Sequence, residues 1–175
     1  MASATTALMT VEEFRRLQDP PGVRLELHNG EVVKVGSPNY QHWKIQKRLA
    51  ALFEGVFGTK GEAGTEFAFR PRPEYEVRVA DVAWISQERA KTIDALDNLK
   101  GSPEIVGEVL SPSNTVSEMV QKRQLCFAAG CEEFWIVDPD GKFVEVFRAN
   151  GTVAVYNRGE RIPLGGAMVA VNEIF

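Results

Sequence analysis

Two apolar, strand-like runs in this sequence each carry a single carboxylate. Asp81 lies within residues 79–85 and Glu108 lies within residues 105–110. A carboxylate among Val and Ile residues is costly to bury unless it is paired, hydrogen-bonded or bound to a cation. Two such strands therefore predict a pair of carboxylates that shares a divalent cation, an arrangement that indicates metal-assisted phosphodiester chemistry.

The composition is that of a globular protein with a core of its own. The chain has 175 residues, 44% of them hydrophobic and 25% charged, which predicts one domain over residues 10–175. The small, polar residues 1–9 are expected to be disordered. No signal peptide or membrane-spanning run is visible, so we expect a cytoplasmic protein with its two cysteines reduced. The formal net charge of −4 means that nucleic-acid binding would need a local basic patch.

Capping signals and apolar periodicity predict three main helices. Thr10 with Glu13, and Thr115 with Glu118, have the spacing of capping boxes. They predict helices from Thr10 to about residue 17 and from Thr115 to about residue 129. A third helix is expected over residues 39–57, where apolar residues recur at helical spacing.

The strands predict a mixed sheet. Asn29-Gly30 and Asn150-Gly151 each join two β-like runs, which indicates one antiparallel hairpin near each end of the chain. Between them, the run ending at Leu110, the helix from Thr115 and a strand over residues 133–137 form a β-helix-β unit. This order indicates an α/β fold with a mixed β-sheet flanked by helices and with peripheral antiparallel hairpins.

The candidate site combines oxygen ligands with an ammonium group. Asp81, Glu108 and the Val109 carbonyl could bind Mg²⁺ or Mn²⁺, because both cations prefer oxygen ligands. Lys122 falls at the edge of the apolar stripe of its helix, so its ammonium could reach over the sheet and stabilise developing charge.

Each of these residues also has a simpler structural interpretation. Asp81 could be a strand-end residue, Glu108 half of a structural ion pair, and Lys122 a solvated lysine. Glu26 is out of phase with its apolar neighbours, which favours an exposed hairpin position. His42 is more often a surface or helix-start residue than a ligand, and Lys44, Lys47 and Arg48 usually form a solvated face. Core and rim packing is favoured over base-stacking platforms for Trp43, Trp84 and Trp135.

Several motifs together resemble one known family. The segments ELHNGE (26–31), ADVA (80–83), EVLSPS (108–113) and GCEEFWIVD (130–138) are similar, in this order, to motifs of the Uma-type, DUF820-like restriction endonuclease family of the PD-(D/E)XK nuclease superfamily. His42 resembles the histidine that opens the family's next helix. The resemblance extends over about residues 11–147.

The resemblance implies a restriction-endonuclease-like core with a divalent-metal site. Asp81 and Glu108 would be metal ligands, Glu26 a further acidic site residue, and Lys122 the catalytic lysine. The superfamily's usual lysine lies two residues after the second acid, where this chain has Leu110. Lys122 would therefore take that role from a different place in the sequence.

The resulting hypothesis is a Mg²⁺-dependent endonuclease that cuts DNA and acts as a homodimer. Its candidate phosphate contacts are His42, Lys44, Lys47, Arg48, Arg70 and Arg72. One alternative is a catalytically silent module that binds nucleic acid or a protein partner, which Leu110 and the acidic composition favour. Another is a module that self-associates through the valine-rich C-terminal hairpin.

Overall fold

A mixed seven-stranded sheet lies between helices, as the computed structural model of residues 8–175 shows. The helices are α1 (Val11–Phe14), α2 (Tyr40–Phe57), α3 (Gln87–Ala90) and α4 (Val116–Ala128). The strands are β1 (Val23–His28), β2 (Glu31–Gly36), β3 (Gly61–Arg70), β4 (Arg78–Ser86), β5 (Leu99–Lys100), β6 (Ile105–Val109), β7 (Glu133–Asp138), β8 (Phe143–Arg148), β9 (Val153–Asn157), β10 (Arg161–Leu164) and β11 (Ala167–Ala170).

The central sheet has the strand order β5-β3-β4-β6-β7-β8-β9. Strand β6 pairs antiparallel with β4 and parallel with β7, and α4 connects β6 to β7. The β-helix-β unit predicted from the sequence is therefore confirmed. The predicted α/β fold with a mixed sheet and peripheral hairpins is also confirmed.

The first hairpin forms over the predicted turn. Asn29 and Gly30 both have positive φ angles, 49° and 81°, as a tight hairpin turn requires. Leu27 forms an isolated bridge with Val77, which joins the hairpin to the start of β4. Leu27 packs with Val11 and Val77, while Glu26 contacts Arg24 and His28, so adjacent residues of β1 are both buried. The alternation of apolar and polar residues in β1 had predicted an exposed Glu26. That prediction was wrong, because it assumed that one face of the hairpin is solvated.

Helix α2 covers one face of the sheet. Its buried residues include Ile45, Leu49 and Phe53, as the helical spacing predicted. Phe53 packs edge-on against Trp135 of β7, with 5.3 Å between the ring centroids. The Asn39 side chain caps the helix by accepting a hydrogen bond from the His42 amide, 2.9 Å away.

Helix α4 covers the opposite face. Thr115 and Glu118 form the predicted capping box at its start. Met119 and Cys126 pack into a second cluster with residues such as Phe134 of β7. The two cysteines are buried free thiols, which agrees with the expectation of a reduced pair.

The C-terminal region contains more structure than the sequence indicated. Strands β10 and β11 form a separate hairpin, and Ile162, Leu164 and Val169 pack into the core beneath α2. The short strand β5 was also not predicted. In the valine-rich hairpin, β9 is an edge strand on which Val153 and Val155 are exposed.

The N-terminal prediction can be compared only in part. Residues 1–7 lie outside the described residues, while the Met9 amide donates a hydrogen bond to the Gly30 carbonyl. Helix α1 begins at the predicted cap but ends at Phe14, before the predicted end near residue 17. Within residues 8–175, no helix is long and apolar enough to cross a membrane.

Truncating Phe53 should test how far the fold depends on the core between α2 and β7. The side chain is fully buried, so we expect Phe53→Ala to lower the free energy of unfolding by about 3–5 kcal/mol. Leu96→Ala is the control, because Leu96 is 92% exposed and its truncation should cost less than about 0.5 kcal/mol. Urea unfolding of the two variants measures the difference, and equal costs would contradict this description of the core.

Candidate active site

Asp81 and Glu108 lie opposite each other on neighbouring antiparallel strands. The register of β4 and β6 pairs Val82 with Gly107, and continuing it by one residue places Asp81 opposite Glu108. Directly opposed residues of an antiparallel pair project from the same face of the sheet. The register therefore brings Asp81 and Glu108 to the point where the pairing of β4 and β6 ends, and the charge of Asp81 acts on Glu108.

Lys122 reaches Glu108 from α4. Its Nζ atom lies 2.7 Å from Oε2 of Glu108 and donates a second hydrogen bond, of 2.8 Å, to the Val79 carbonyl. Lys122 and Glu108 are 8% and 5% exposed, so this is a buried ion pair. The other carboxylate oxygen of Glu108, Oε1, is buried without a hydrogen-bond partner among the described residues.

Asp81 is held from α2 and from the backbone of β6. Its Oδ2 atom accepts a 2.8 Å hydrogen bond from the Val109 amide and lies 3.2 Å from Nε2 of His42. The same His42 nitrogen lies 2.9 Å from the Val109 carbonyl oxygen. The structure therefore places His42 inside the site, in contact with two of the three groups predicted to bind a cation.

Gln46, one helical turn after His42, is a site residue that the sequence analysis missed. It is fully buried, and its Nε2 atom donates to Oδ1 of Asp81 at 3.1 Å and to Oε1 of Glu66 at 2.5 Å. Glu66 lies opposite Asp81 on β3 and has a positive φ of 55°. The available signal was a glutamine four residues after a histidine, on the apolar stripe of α2.

Glu26 brings the first hairpin into the same site. The side chain is 4% exposed, and its Oε2 atom lies 2.9 Å from Nε2 of His28. Arg24 forms ion pairs with both Glu26 and Glu66. The charges of Glu26, Asp81 and Lys122 all act on Glu108, so the four predicted catalytic residues belong to one electrostatic cluster.

Burial and charge shift the pKa values of this cluster in different directions. Burial raises the pKa of Glu108 to about 7, although the neighbouring Lys122 charge opposes this shift. Burial would lower the pKa of Lys122, but Glu108, Glu26 and Asp81 together raise it. Burial would also raise the pKa of Asp81, yet His42 and Lys122 bring it below its ordinary value. Lys122 thus remains charged beside a carboxyl group that holds its proton unusually strongly.

The side chains do not form a complete chelating group. Among residues 8–175, no three His, Cys, Asp or Glu side chains are gathered in an arrangement that would hold a metal ion. A cation bound between Asp81 and Glu108 would therefore need backbone or water oxygens as its other ligands, and the Val109 carbonyl is one such group.

The predicted phosphate contacts separate into two groups. Lys44, Lys47, Arg48 and Arg72 are exposed. Arg70 is buried, donates hydrogen bonds of 2.9 Å and 3.0 Å to the two carboxylate oxygens of Asp97, and contacts the Pro73 carbonyl. Arg70 therefore stabilises the connection after β3, and this structure does not support the predicted phosphate contact from its side chain.

A groove beside the hairpin adds polar and basic groups next to the site. It has a volume of about 770 Å³. Its lining includes His28, Asn29, Arg72, Arg78, Gln121 and Gln124. Because His28 also contacts Glu26, this groove adjoins the carboxylate cluster.

Comparison with known proteins identifies relatives of this fold and sequence. The model of the Uma2 family, described as "Putative restriction endonuclease", matches residues 11–169. The crystal structure of a putative nuclease belonging to DUF820 from Anabaena variabilis ATCC 29413 superposes with a TM-score of 0.79 at 19% sequence identity, covering 95% of this chain and 97% of that chain. No curated protein matches the sequence.

The buried ion pair should be measurable as energetic coupling between Lys122 and Glu108. We expect Lys122→Met to lower the free energy of unfolding by about 3 kcal/mol, because it leaves buried carboxylates without their cation. Adding Glu108→Gln should restore at least about 1 kcal/mol, since one of those carboxylates is then neutral. Denaturant unfolding of the two single variants and the double variant gives the coupling, and strictly additive effects would show that the pair is not coupled.

Proposed function

Because this chain belongs to the Uma2 family of putative restriction endonucleases, we propose that it is a nuclease that hydrolyses phosphodiester bonds of DNA with the help of Mg²⁺ or Mn²⁺. The observation that carries this proposal is the opposed pair Asp81 and Glu108 with the Lys122 ammonium bonded to Glu108. Lys122 reaches Glu108 from α4, so the proposed catalytic lysine does not have to lie at position 110. The superfamily usually has its lysine there, and this chain has Leu110.

Three features of the site support a divalent cation. The Oε1 atom of Glu108 is buried without a hydrogen-bond partner among residues 8–175, which is costly unless a ligand or water occupies it. Asp81 and the Val109 carbonyl supply further hard oxygen atoms, the kind of ligand that Mg²⁺ and Mn²⁺ prefer. A small number of protein ligands is also ordinary for Mg²⁺, which retains several waters.

In this proposal, the protein residues position charge around the phosphate. Asp81, Glu108 and the Val109 carbonyl would hold the divalent cation, which when bound would supply activation of water and offset charge on the phosphate. Lys122 fixes one oxygen of Glu108, while the Val109 amide and Gln46 fix the two oxygens of Asp81. The Lys122 ammonium also places positive charge beside the reacting phosphate, where it would stabilise the developing negative charge.

His42 and a cation would compete for the same oxygen atoms. Nε2 of His42 contacts both Asp81 and the Val109 carbonyl. A cation on those two oxygens would require the ring either to turn away or to contribute its nitrogen as an additional ligand. We therefore assign His42 to the site itself, and no longer to the group of phosphate contacts.

The groove lined by His28, Arg72 and Arg78 is the proposed path for the substrate backbone near Glu26. The exposed guanidinium group of Arg72 could contact phosphate oxygens, whereas Arg78 is held in an ion pair with Glu76, which also lines the groove. The chain's net charge of −4 makes such local groups necessary. A homodimer, with one site for each strand of a duplex, remains a prediction from symmetry.

Cleavage assays with matched variants test this proposal. We expect Mg²⁺- or Mn²⁺-dependent cutting of DNA, with Glu108→Gln reducing the rate by at least ~100-fold because a cation ligand is removed. Glu62→Gln is the control, because this glutamate is exposed on β3 and should leave the rate unchanged.

Calorimetric titration with Mn²⁺ separates the nuclease from a silent binding module. Wild-type protein should bind Mn²⁺, and Glu108→Gln should bind it at least ~10-fold more weakly. Binding without cutting would favour a different substrate. If the wild-type protein neither binds Mn²⁺ nor cuts DNA, the catalytic proposal is wrong and the silent module is favoured.

A further inference from the structure

Two aromatic side chains are exposed on the first turns of α2. Tyr40 is 72% exposed and Trp43 is 43% exposed. Their rings are stacked, with 5.8 Å between centroids and 27° between planes. Large aromatic groups bury much apolar area when they are covered, so an exposed, ordered pair indicates a binding surface.

Two lysines lie against this aromatic pair. Nζ of Lys44 lies 5.6 Å from the centroid of the Tyr40 ring, and Nζ of Lys47 lies 5.0 Å from that of Trp43. Arg48 follows directly. No acidic residue occurs in α2 before Glu54, so the surface is basic on a chain whose net charge is negative. This charge is complementary to phosphate.

The aromatic pair begins within one helical turn of the candidate active site. His42 lies between Tyr40 and Trp43 in the sequence, and its ring contacts Asp81. The residues on either side of Tyr40, Asn39 and Gln41, line a groove of about 320 Å³ together with His42, and Asp138 and Asp140 lie on the groove as well. Tyr40 and Trp43 do not line this groove but lie next to residues that do, so a polymer that extends out of it along α2 would meet the aromatic surface.

We propose that Tyr40, Trp43, Lys44 and Lys47 form a stacking platform for unpaired nucleotides, and that the substrate of the adjacent site is single-stranded or locally unpaired DNA. This inference rests on the proposed nuclease function. Aromatic side chains stack on the faces of unpaired bases, while lysines beside them contact the phosphates. Bases inside a duplex are stacked on one another and cannot offer these faces.

Trp43 is itself a reporter of this binding. Trp135 is fully buried, and Trp84 is half-buried and stacked on Phe57 with 4.2 Å between ring centroids. Titration of the metal-free protein with oligothymidylate should therefore quench the tryptophan fluorescence. A hairpin duplex without unpaired ends should quench it much less. In Trp43→Phe, the quenching should disappear while the oligothymidylate still binds.

Affinity measurements on variants test the stacking and the charge separately. By anisotropy of labelled oligothymidylate, Trp43→Ala should weaken binding roughly 5- to 150-fold, the range expected when one base can no longer stack. Trp43→Phe should stay close to wild type, because it retains an aromatic face. Val153→Ala is the control, being an exposed apolar residue on the edge strand β9.

Replacing Lys44 and Lys47 with Gln should reduce the slope of log affinity against log salt by about 1.4, or about 0.7 for each phosphate that a lysine no longer neutralises.

The outcomes distinguish failure of the platform from failure of the nuclease. Unchanged affinity in Trp43→Ala, or no binding of oligothymidylate by the wild type, overturns the platform. Concentration-dependent self-association that Trp43→Ala abolishes, measured by light scattering, would instead assign this surface to a second copy of the chain. Stacking without metal-dependent cutting overturns the nuclease and retains the platform. Metal-dependent cutting of fully paired DNA that Trp43→Ala leaves unchanged overturns the platform and retains the nuclease.

Discussion

The contact between Lys122 and Glu108 is the interaction on which the candidate site depends. Glu26, Asp81 and Glu108 gather on or beside the sheet, and three carboxylates so close together repel one another when charged. The Lys122 ammonium offsets part of that repulsion, and its hydrogen bond to the Val79 carbonyl fixes its position. A second cation would offset more of it, which is the physical basis of the divalent-metal site proposed above.

The fold brings groups from both faces of the sheet to one point. Strands β4 and β6 stop pairing beside Asp81 and Glu108, so Lys122 can approach from α4 while His42 and Gln46 approach from α2. The first hairpin then covers the cluster with Glu26. Asp81 and Glu108 have rigid, paired strands behind them and two helices beside them. This arrangement fixes the carboxylates before any substrate binds, as the proposed catalysis would require.

Local signals predicted much of this arrangement, and long-range contacts explain what the sequence could not predict. The Thr115 capping box, the Asn29-Gly30 turn and the apolar runs around Asp81 and Glu108 depend on neighbouring residues and were therefore readable. The burial of Glu26 and Arg70 depends on partners distant in sequence, Lys122 for the former and Asp97 for the latter. Gln46 shared the apolar stripe of α2 but had no visible partner until β3 and β4 were in place. Core or rim packing was favoured over base stacking for Trp43, because tryptophan usually packs in that way, whereas the structure leaves this residue 43% exposed.

Anomalous diffraction from crystals soaked in Mn²⁺ would be the sharpest test of the metal site, because it locates the cation without requiring a substrate. We predict one strong anomalous peak between the Asp81 and Glu108 carboxylates and the Val109 carbonyl, with oxygen ligands at roughly 2.1 Å. The peak should be absent in Glu108→Gln crystals soaked in the same way. A wild-type crystal with no peak at this position, or with Mn²⁺ bound only elsewhere on the chain, would show that the carboxylate pair does not bind the cation.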